Sequence, residues 1–294
     1  MVQDLLPVEL STNADGAVIA VLTLDQPGRP VVVIDESLLR RLHATLGTLP
    51  QDLGGFVLAS SAERAFVAGA DLKSIMAMDD QALHRYLEYG AKVFEQIASL
   101  PCPTAAAIHS VVLGGGLELA MHCDGLVGLV DPNTKPYLVG LPEAGLKICP
   151  GWGGTNLLPA RIDPVDAITM TANGRAMKSD QADELGLFDV TVTSRDELIG
   201  AAKAWVGAQE KPVRGEHPSR CISAGDLDEM KDALKVAREQ LESAPHVDAV
   251  LDAVGYGIES GWSVALQCER DRLVALRHTE PAQDAINAFF NKGK

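Results

Sequence analysis

The chain is short of basic residues. Its 294 residues include 25 Lys and Arg against 40 Asp and Glu, which gives a formal net charge of −15. Affinity for nucleic acid depends on cationic side chains that neutralise phosphates, so this charge balance argues against nucleic acid as a partner. A small polyanionic ligand stays compatible with the sequence if the fold brings lysines and arginines together.

Paired cysteines and long apolar runs are also lacking. No Cys-x-x-Cys pair occurs, so reduced thiols are predicted, and neither a disulfide framework nor a metal site is expected. Each apolar stretch is interrupted before about eighteen residues, so no membrane span is predicted. The segment Met1–Leu5 lacks a basic region followed by an apolar run, which favours a cytoplasmic protein. The cysteines are Cys102, Cys123, Cys149, Cys221 and Cys268.

Three widespread nucleotide and hydrolase motifs are missing. The sequence contains neither the phosphate-binding pattern GxxxxGK[ST] nor the GxSxG of serine hydrolases. The glycine-rich turn Gly151–Gly154 lacks the GxGxxG spacing of a dinucleotide site. Phosphate-loop, serine-hydrolase and dinucleotide functions therefore have no motif to support them.

Segments with strand and helix character alternate along the first two hundred residues. Leu38, Leu39, Leu42 and Leu46 recur at helical spacing and predict a helix over Glu36–Leu46. The alternation favours an α/β architecture. The other predicted segments are strands at residues 17–24, 55–59, 104–108 and 125–130, and helices beginning near residues 71 and 155 and over residues 80–100.

The last hundred residues change to a helical pattern without a good strand signal. Apolar residues from Leu227 to Leu241 step by three and four, which predicts a helix capped by Asp226. A second helical pattern, residues 247–277, contains Gly255, Gly257 and Gly261, which predict a break. We therefore divide the chain into a core, residues 1–205, and a helical C-terminal region, residues 206–294.

The most informative stretch is Leu113–Ala120, with the sequence LGGGLELA. An apolar segment precedes it and a helical segment follows, so its glycines lie where a helix N-terminus offers unpaired N–H groups and a positive dipole end. This arrangement predicts a site for an anion or an oxyanion, with Glu118 in the first helical turn. The alternative is a tight packing turn in which Glu118 only complements the helix dipole.

A second junction of the same kind lies at Ala68–Asp71, and a second carboxylate, Glu143, follows Glu118 along the chain. Acyl chemistry on a thioester needs such parts. Two fixed N–H groups stabilise the enolate oxygen, while a positioned acid and base move protons at the neighbouring carbons. One such donor contributes roughly 3 to 4 kcal/mol in other enzymes.

Four motifs in series resemble the enoyl-CoA hydratase/isomerase (crotonase) family in order and spacing. The resemblance covers about residues 10–205. Two segments, Gly145–Thr155 and Thr279–Phe290, are most similar to the hydratase portion of multifunctional fatty-acid oxidation proteins. The four motifs are Ala65–Lys73, Ala107–Ala120, Leu141–Glu143 and Pro150–Thr155.

The resemblance implies a fold and a set of site residues. The family fold is a spiral of repeated ββα units with a helical C-terminal region, assembled as trimers or dimers of trimers. The N–H groups of Ala70 and Gly115 match the oxyanion hole. Glu118 matches the glutamate that activates water, and Glu143 matches the one that delivers a proton to Cα. The positions that match the CoA-binding segment are Ala68, Ala70, Asp71, Leu72 and Lys73.

By this resemblance the chain is expected to be an enoyl-CoA hydratase. It would add water syn to trans-2-enoyl-CoA and give 3-hydroxyacyl-CoA, without a metal or a redox cofactor, since coenzyme A is part of the substrate. Two alternatives stay open. One is a Δ3-Δ2-enoyl-CoA isomerase that uses a single glutamate. The other is a non-catalytic CoA-thioester-binding subunit of a fatty-acid oxidation complex, docked to a 3-hydroxyacyl-CoA dehydrogenase. The presence of both glutamates favours hydration.

Other polar residues near these motifs have structural explanations. His109 ends a predicted strand and is expected to hydrogen-bond to the backbone rather than to act as a base. The cluster His122–Asp124 ends a helix, where a buried cysteine is usually a packing residue. Asp71 and Lys73 may be read simply as the start of a helix, and Glu143 as a solvated loop carboxylate.

Overall fold

The structure is a computed structural model that describes residues 4–291. Three residues of the N-terminal segment used above to predict localisation, residues 1–3, lie outside the described residues. The strands are β1 (Val8–Thr12), β2 (Val18–Leu24), β3 (Gly55–Ser60), β4 (Ala65–Val67), β5 (Thr104–Ile108), β6 (Val111–Leu113), β7 (Gly125–Leu129), β8 (Leu138–Gly140), β9 (Ala176–Lys178) and β10 (Val190–Val192).

Helices outnumber strands after residue 140. Two short 3-10 turns cover Glu143–Leu146 and Ile222–Ala224. The helices are α1 (Glu36–Leu46), α2 (Leu72–Ala77), α3 (Asp80–Ala98), α4 (Gly115–Met121), α5 (Gly154–Leu157), α6 (Pro164–Ala172), α7 (Ser179–Glu184), α8 (Arg195–Ala208), α9 (Leu227–Gln240), α10 (Pro245–Ser260), α11 (Trp262–Leu276) and α12 (Glu280–Asn291).

The chain divides into two compact units. The first contains the residues up to Asp71 together with Tyr89–Val139 and Met177–Ser219. The second contains Leu72–Glu88, Gly140–Ala176 and the residues from Arg220 onward. The boundary predicted from the sequence, between residues 205 and 206, stays a prediction.

A six-stranded sheet forms the centre of the first unit, with the strand order β1-β2-β3-β5-β7-β10. Its edge strand β1 runs antiparallel to β2, and the other neighbours are parallel. Parallel sheets are usually covered on both faces, which agrees with the complete burial of β3 and β5. The α/β class predicted from the alternating segments is confirmed.

Helix α8 packs closely against this sheet. Leu198, Ala202 and Val206 of the helix join a buried cluster with side chains of β2, β3, β5 and β7. The approach depends on glycine in the sheet, because a Cβ on Gly55 would lie 2.6 Å from a methyl carbon of Val206. Gly125 faces the ring of Trp205 in the same way. These small residues allow the helix to lie directly on the strands.

A second sheet of four short strands has the order β4-β6-β8-β9. Strands β4 and β6 are parallel, with Ala65 opposite Val111 and Val67 opposite Val112. Each of the first two strands leads into a turn followed by a helix, α2 after β4 and α4 after β6. This sheet therefore brings the two turns singled out in the sequence to neighbouring positions.

The second unit is helical around α10, which packs against α5, α6, α9 and α11. Asp226 caps α9 by accepting hydrogen bonds from the N–H groups of Asp228 and Glu229, as predicted. The predicted break in the last long pattern occurs at Gly261, whose φ of 85° ends α10 and begins α11. Gly255 and Gly257 remain inside α10. No strand occurs among the described residues after β10, which agrees with the expected helical tail.

The sequence located some elements better than others. Helix α1 and strand β5 have the predicted bounds, whereas α5 is a single turn of four residues. The sequence did not indicate β1, and it did not separate β6 from the apolar segment before it. Among residues 4–291, every helix is too short or too polar to cross a membrane.

Candidate active site

The turns after β4 and β6 lie against each other in the first unit. A Cβ on Gly116 would lie 2.5 Å from the carbonyl oxygen of Val67, and one on Gly69 would lie 3.2 Å from the carbonyl oxygen of Leu113. Both contacts are to backbone atoms, which cannot rotate away as a flexible side chain can. The close approach therefore requires glycine at positions 69 and 116.

Backbone geometry directs two N–H groups away from the strands at this place. Ala70 pairs with Ile34 through the Gly69 carbonyl and the Asp71 N–H, at 2.8 and 3.0 Å, so the N–H of Ala70 points away from Ile34. Gly115 is the first residue of α4, where an N–H has no partner within the helix. Gly114 precedes it with a φ of 53°, a left-handed value that favours glycine. The predicted oxyanion donors thus belong to adjacent turns.

Glu118 lies in the first turn of α4 and is buried, with 1% of its surface exposed. Its N–H donates to the carbonyl of Gly114 at 3.0 Å, and its carbonyl accepts from Nδ1 of His122 at 2.8 Å. Two consecutive helical turns therefore hold its backbone. The dipole of α4 favours a carboxylate in its first turn, whereas burial acts against the charge.

Glu143 belongs to the second unit and begins the 3-10 turn Glu143–Leu146. Its Oε2 atom is buried and has no hydrogen-bond partner among the described residues. Burial raises the pKa of Glu143 to about 8; a hydrogen bond from its own backbone N–H opposes the rise, and the nearby charge of Glu269 adds to it. Its environment is therefore that of a carboxyl that stays protonated near neutral pH, and not that of a solvated loop carboxylate.

The positions predicted to bind CoA follow β4 without interruption. The N–H of Ala68 donates to the carbonyl of Val32 at 2.8 Å, which fixes the start of the turn. Helix α2 begins at Leu72, between Asp71 and Lys73. These two charged residues therefore do lie at the start of a helix, as their simpler interpretation predicted. Lys73 lies in the second unit, with its ammonium 5.9 Å from the ring centre of Phe290.

Val32 also lines a cleft of about 590 Å³ that the sequence did not predict. Arg29 and Arg64 line the same cleft, although they are far apart in the sequence. Arg29 also pairs with Asp35 at 3.0 Å. Asp25 and Glu63 line the cleft as well, so its two arginines are balanced by two carboxylates.

Sequence reasoning also missed Glu269, a carboxylate of α11 with 0% exposure. Its oxygens accept from the N–H of Gly153 at 2.5 Å, and from the N–H and the hydroxyl of Thr155 at 2.8 and 2.5 Å. Burial raises the pKa of Glu269, and these hydrogen bonds oppose the rise without cancelling it, so the net pKa is raised. Nothing in the helical spacing of the tail distinguished this glutamate from its solvated neighbours.

The other polar residues behave as their structural explanations predicted. Nε2 of His109 donates to the carbonyl of Ala62 at 2.7 Å, and burial lowers the pKa of its ring. Cys123 is buried, and the ring of His122 lies edge-on against Phe94. Across residues 4–291, no group of three or more His, Cys, Asp or Glu side chains is arranged to hold a metal ion.

Comparisons with known proteins agree on one family. Residues 14–212 match the family model described as enoyl-CoA hydratase/isomerase. The fatty acid oxidation complex subunit alpha of Vibrio cholerae is 30% identical over 283 residues, which cover 92% of this chain and 39% of that protein. The same subunit of Shewanella halifaxensis is 31% identical over 291 residues, covering 96% of this chain and 40% of that protein. The chain thus spans well under half the length of these curated relatives.

Solved structures share the fold. An enoyl-CoA hydratase from Bacillus anthracis is 25% identical, with coverage of 98% of this chain and 96% of that chain and a TM-score of 0.59. A carnitinyl-CoA dehydratase from Mycobacterium thermoresistibile is 18% identical, with coverage of 96% and 89% and a TM-score of 0.68. The fold expected from the sequence motifs is therefore confirmed.

Proposed function

This chain belongs to the enoyl-CoA hydratase/isomerase family, and from that membership we propose that it hydrates trans-2-enoyl-CoA to 3-hydroxyacyl-CoA. The observation that carries the proposal is the raised pKa of Glu143, which equips it as an acid and completes a pair of carboxyl groups with Glu118. Glu118 lies in the first turn of α4, whose dipole favours the anion that a base requires. A base and an acid are the two groups that addition of water requires.

The reaction divides between the carboxyl groups and the paired turns. Glu118 accepts a proton from water as the water oxygen bonds to Cβ, and Glu143 gives its proton to Cα, with both additions on the same face. The electron pair of the double bond moves towards the thioester oxygen during attack. The N–H groups of Ala70 and Gly115 then stabilise that oxygen, a contribution of roughly 3 to 4 kcal/mol for each donor.

Coenzyme A is bound as part of the substrate. By the family resemblance, its path follows Ala68, Ala70, Asp71, Leu72 and Lys73. Proton transfer and oxyanion stabilisation account for every step, so neither a metal ion nor a redox cofactor is assigned to this reaction.

We also propose the assembly and location of the protein. The family resemblance favours a homotrimer or a dimer of trimers. The curated relatives are subunits of fatty acid oxidation complexes, which supports a role in fatty-acid β-oxidation and association with a 3-hydroxyacyl-CoA dehydrogenase. A cytoplasmic location is part of this proposal.

The purified protein tests the function directly with crotonyl-CoA and a series of longer trans-2-enoyl-CoAs. Hydration removes the conjugated thioester, so we expect its ultraviolet absorbance to fall. A rise in absorbance with a 3-enoyl-CoA, and no fall with the 2-enoyl series, would instead identify an isomerase. Binding of the thioesters without either change would identify a non-catalytic subunit and overturn the proposal.

A further inference from the structure

The second unit contains two buried carboxyl groups with opposite surroundings. The carboxylate of Glu269 has three donors, from the N–H of Gly153 and the N–H and hydroxyl of Thr155. Oε2 of Glu143 is buried and has none among the described residues. The Glu143 carboxyl accepts only from its own backbone N–H. Donors favour the ionised form of a carboxyl, and burial favours the protonated form. The larger donor set of Glu269 therefore favours the negative charge there and leaves the proton on Glu143.

The anion is held in a fixed position. Oε1 of Glu269 accepts both bonds from Thr155 and Oε2 accepts the bond from Gly153, so both oxygens serve as acceptors. The hydroxyl of Thr155 accepts in turn from the amide of Asn156, at 3.0 Å, and that amide also donates to the carbonyl of Ala253, at 3.1 Å. Hydrogen bonds from α5 and α10 thus hold the carboxylate of α11 in one geometry.

The backbone around this anion leaves little room for movement. Gly153 has a left-handed φ of 99°, and a Cβ there would lie 2.2 Å from the ring of Trp262. The thiol of Cys149 donates to the backbone carbonyl of Glu269 at 3.5 Å. The segment that follows the 3-10 turn of Glu143 is therefore fastened to the helix that carries Glu269.

We propose that Glu269 is a positioning residue for Glu143: its fixed, buried negative charge keeps the Glu143 side chain protonated, in the form that delivers a proton to the substrate. Two like charges in one water-poor region cannot both ionise easily, so a pair of this kind retains one proton. The three donors place the negative charge on Glu269 and leave the proton on Glu143. The catalytic part of this inference rests on the proposed hydration, and the protonation of Glu143 does not.

The other charged side chains near Glu143 are more strongly screened by solvent than Glu269 is. The 3-10 turn packs against α6 and α12. The ionisable side chains of these helices, Asp166 of α6 and Glu280 and Asp284 of α12, are all exposed. Lys147 follows the turn and is half-buried. Water and salt weaken the effect of exposed charges, which leaves Glu269 as the buried charge in this group.

Carbon-13 NMR of protein labelled at the glutamate carboxyl carbons tests the inference without substrate. The signals of Glu143 and Glu269 are assigned by their loss in E143Q and E269Q. The chemical shift of each carboxyl carbon is then measured from acid to alkaline pH, which gives its titration midpoint. We expect E269Q to lower the Glu143 midpoint by at least about half a pH unit, because it removes the fixed charge and keeps the shape. The matched control D284N removes an exposed charge beside the same turn and is expected to leave that midpoint in place.

E143Q gives a second test that does not depend on the folding of E269Q. Glu143 is still protonated and uncharged when Glu269 ionises, so its replacement by an uncharged glutamine should leave the titration midpoint of Glu269 in place. A Glu143 midpoint that E269Q leaves unchanged overturns the inference, as does a Glu269 midpoint that falls in E143Q. Protonation of Glu269 instead of Glu143 at neutral pH also overturns it, as does an equal shift in D284N.

The kinetic arm uses the same variants with crotonyl-CoA. We expect E269Q to shift the alkaline limb of the plot of kcat against pH to lower pH. KM should stay within about threefold of the wild-type value, since substrate contacts are unchanged. A lower kcat with an unmoved limb would indicate a merely structural residue and overturn the positioning role. If the wild-type protein hydrates no enoyl-CoA, the proposed function fails, while the NMR midpoints still decide whether Glu269 controls Glu143.

Discussion

Gly116 packs directly against the carbonyl group of Val67, because a Cβ built on the glycine would lie 2.5 Å from that oxygen. The contact joins the first turn of α4 to the end of β4. It thereby sets the spacing between the two turns that carry the proposed oxyanion donors.

The first prediction concerns G116A. A methyl group at this position must displace backbone, so we expect the free energy of unfolding to fall by about 2 to 3 kcal/mol. The displaced turns should also lower kcat, because oxyanion donors act only at short range. Urea unfolding followed by circular dichroism measures the first effect, and crotonyl-CoA hydration measures the second.

Gly200 provides the matched control for that variant. It lies in α8, and a Cβ there would have no neighbour within 4 Å. We expect G200A to raise stability by about 0.5 to 1 kcal/mol, because alanine is the better helix former. Equal effects of G116A and G200A would contradict the close-packing explanation.

The second prediction concerns the two carboxyl groups of the proposed reaction. E118Q and E143Q each remove one proton-transfer group and keep the size of the side chain. We expect kcat to fall by about 100-fold or more in each, with KM changed by only a few fold. E184Q alters an exposed glutamate of α7 and should retain wild-type kinetics. Full activity in either of the first two variants would remove that residue from the mechanism.

The third prediction is a pH dependence of stability that originates at Glu143. Its folded-state pKa of about 8 lies above the value of about 4.3 of an unfolded chain. Between these values the folded protein binds the proton more tightly, so stability falls as the pH rises. The loss is at most about 1.4 kcal/mol per pH unit, because the two states differ by at most one proton at this residue.

The side chain of E143Q stays uncharged at every pH. We therefore expect E143Q to be more stable than the wild type at pH 8, and the difference in stability to vanish towards pH 4. Urea unfolding midpoints of both proteins at several pH values measure this difference. A stability difference that is constant with pH would contradict the raised pKa.

The fourth prediction concerns the partly buried ion pair of Asp124 and Arg214 in the first unit. Two guanidinium nitrogens lie 2.6 and 2.8 Å from the carboxylate oxygens, and Ser219 and Thr104 donate to the same group. Burial raises the pKa of Asp124, but the hydrogen bonds from Arg214 and Ser219 outweigh it, and the net pKa is lowered. The pair therefore stabilises the fold above the unfolded pKa of about 3.9, and the effect disappears as the pH falls below it.

Removing the arginine leaves a partly buried carboxylate without its counter-charge. We expect R214A to lower the free energy of unfolding by about 2 kcal/mol at pH 7, and by less in acid. R40A breaks an exposed pair with Glu36 within one helix and should change stability by no more than about 0.5 kcal/mol. Similar losses in the two variants would contradict the importance of burial.

Local elements were readily predicted from the sequence. The leucine spacing of α1, the turn residues around β2 and the capping by Asp226 are signals carried by residues within one or two turns of each other. The short elements were harder. Strands β4 and β6 have three residues each, too few for a period to emerge, and α5 has four. Their conformation depends on neighbours that are distant in sequence.

The residues of the candidate site also fall into those with a local sequence signal and those without one. The glycine run and Glu118 were recognisable because a helix start has a local pattern, and Glu143 was recognised through its motif. Glu269 was missed because its partner Thr155 lies 114 positions away and the helix that carries it has no distinctive spacing. The cleft with Arg29 and Arg64 was missed because a pocket joins two separate turns.

The sequence by itself determined the alternation of strands and helices, the helical tail and the residue types available for acid, base and oxyanion stabilisation. Hydrophobic periodicity, caps and glycine turns act over a few residues, so they can be read directly along the chain. Only the tertiary structure decided which of those groups are buried, which backbone N–H groups share one edge of a sheet, and which carboxyl has donors. Protonation depends on desolvation and on neighbouring charges, and both arise from contacts between distant parts of the chain.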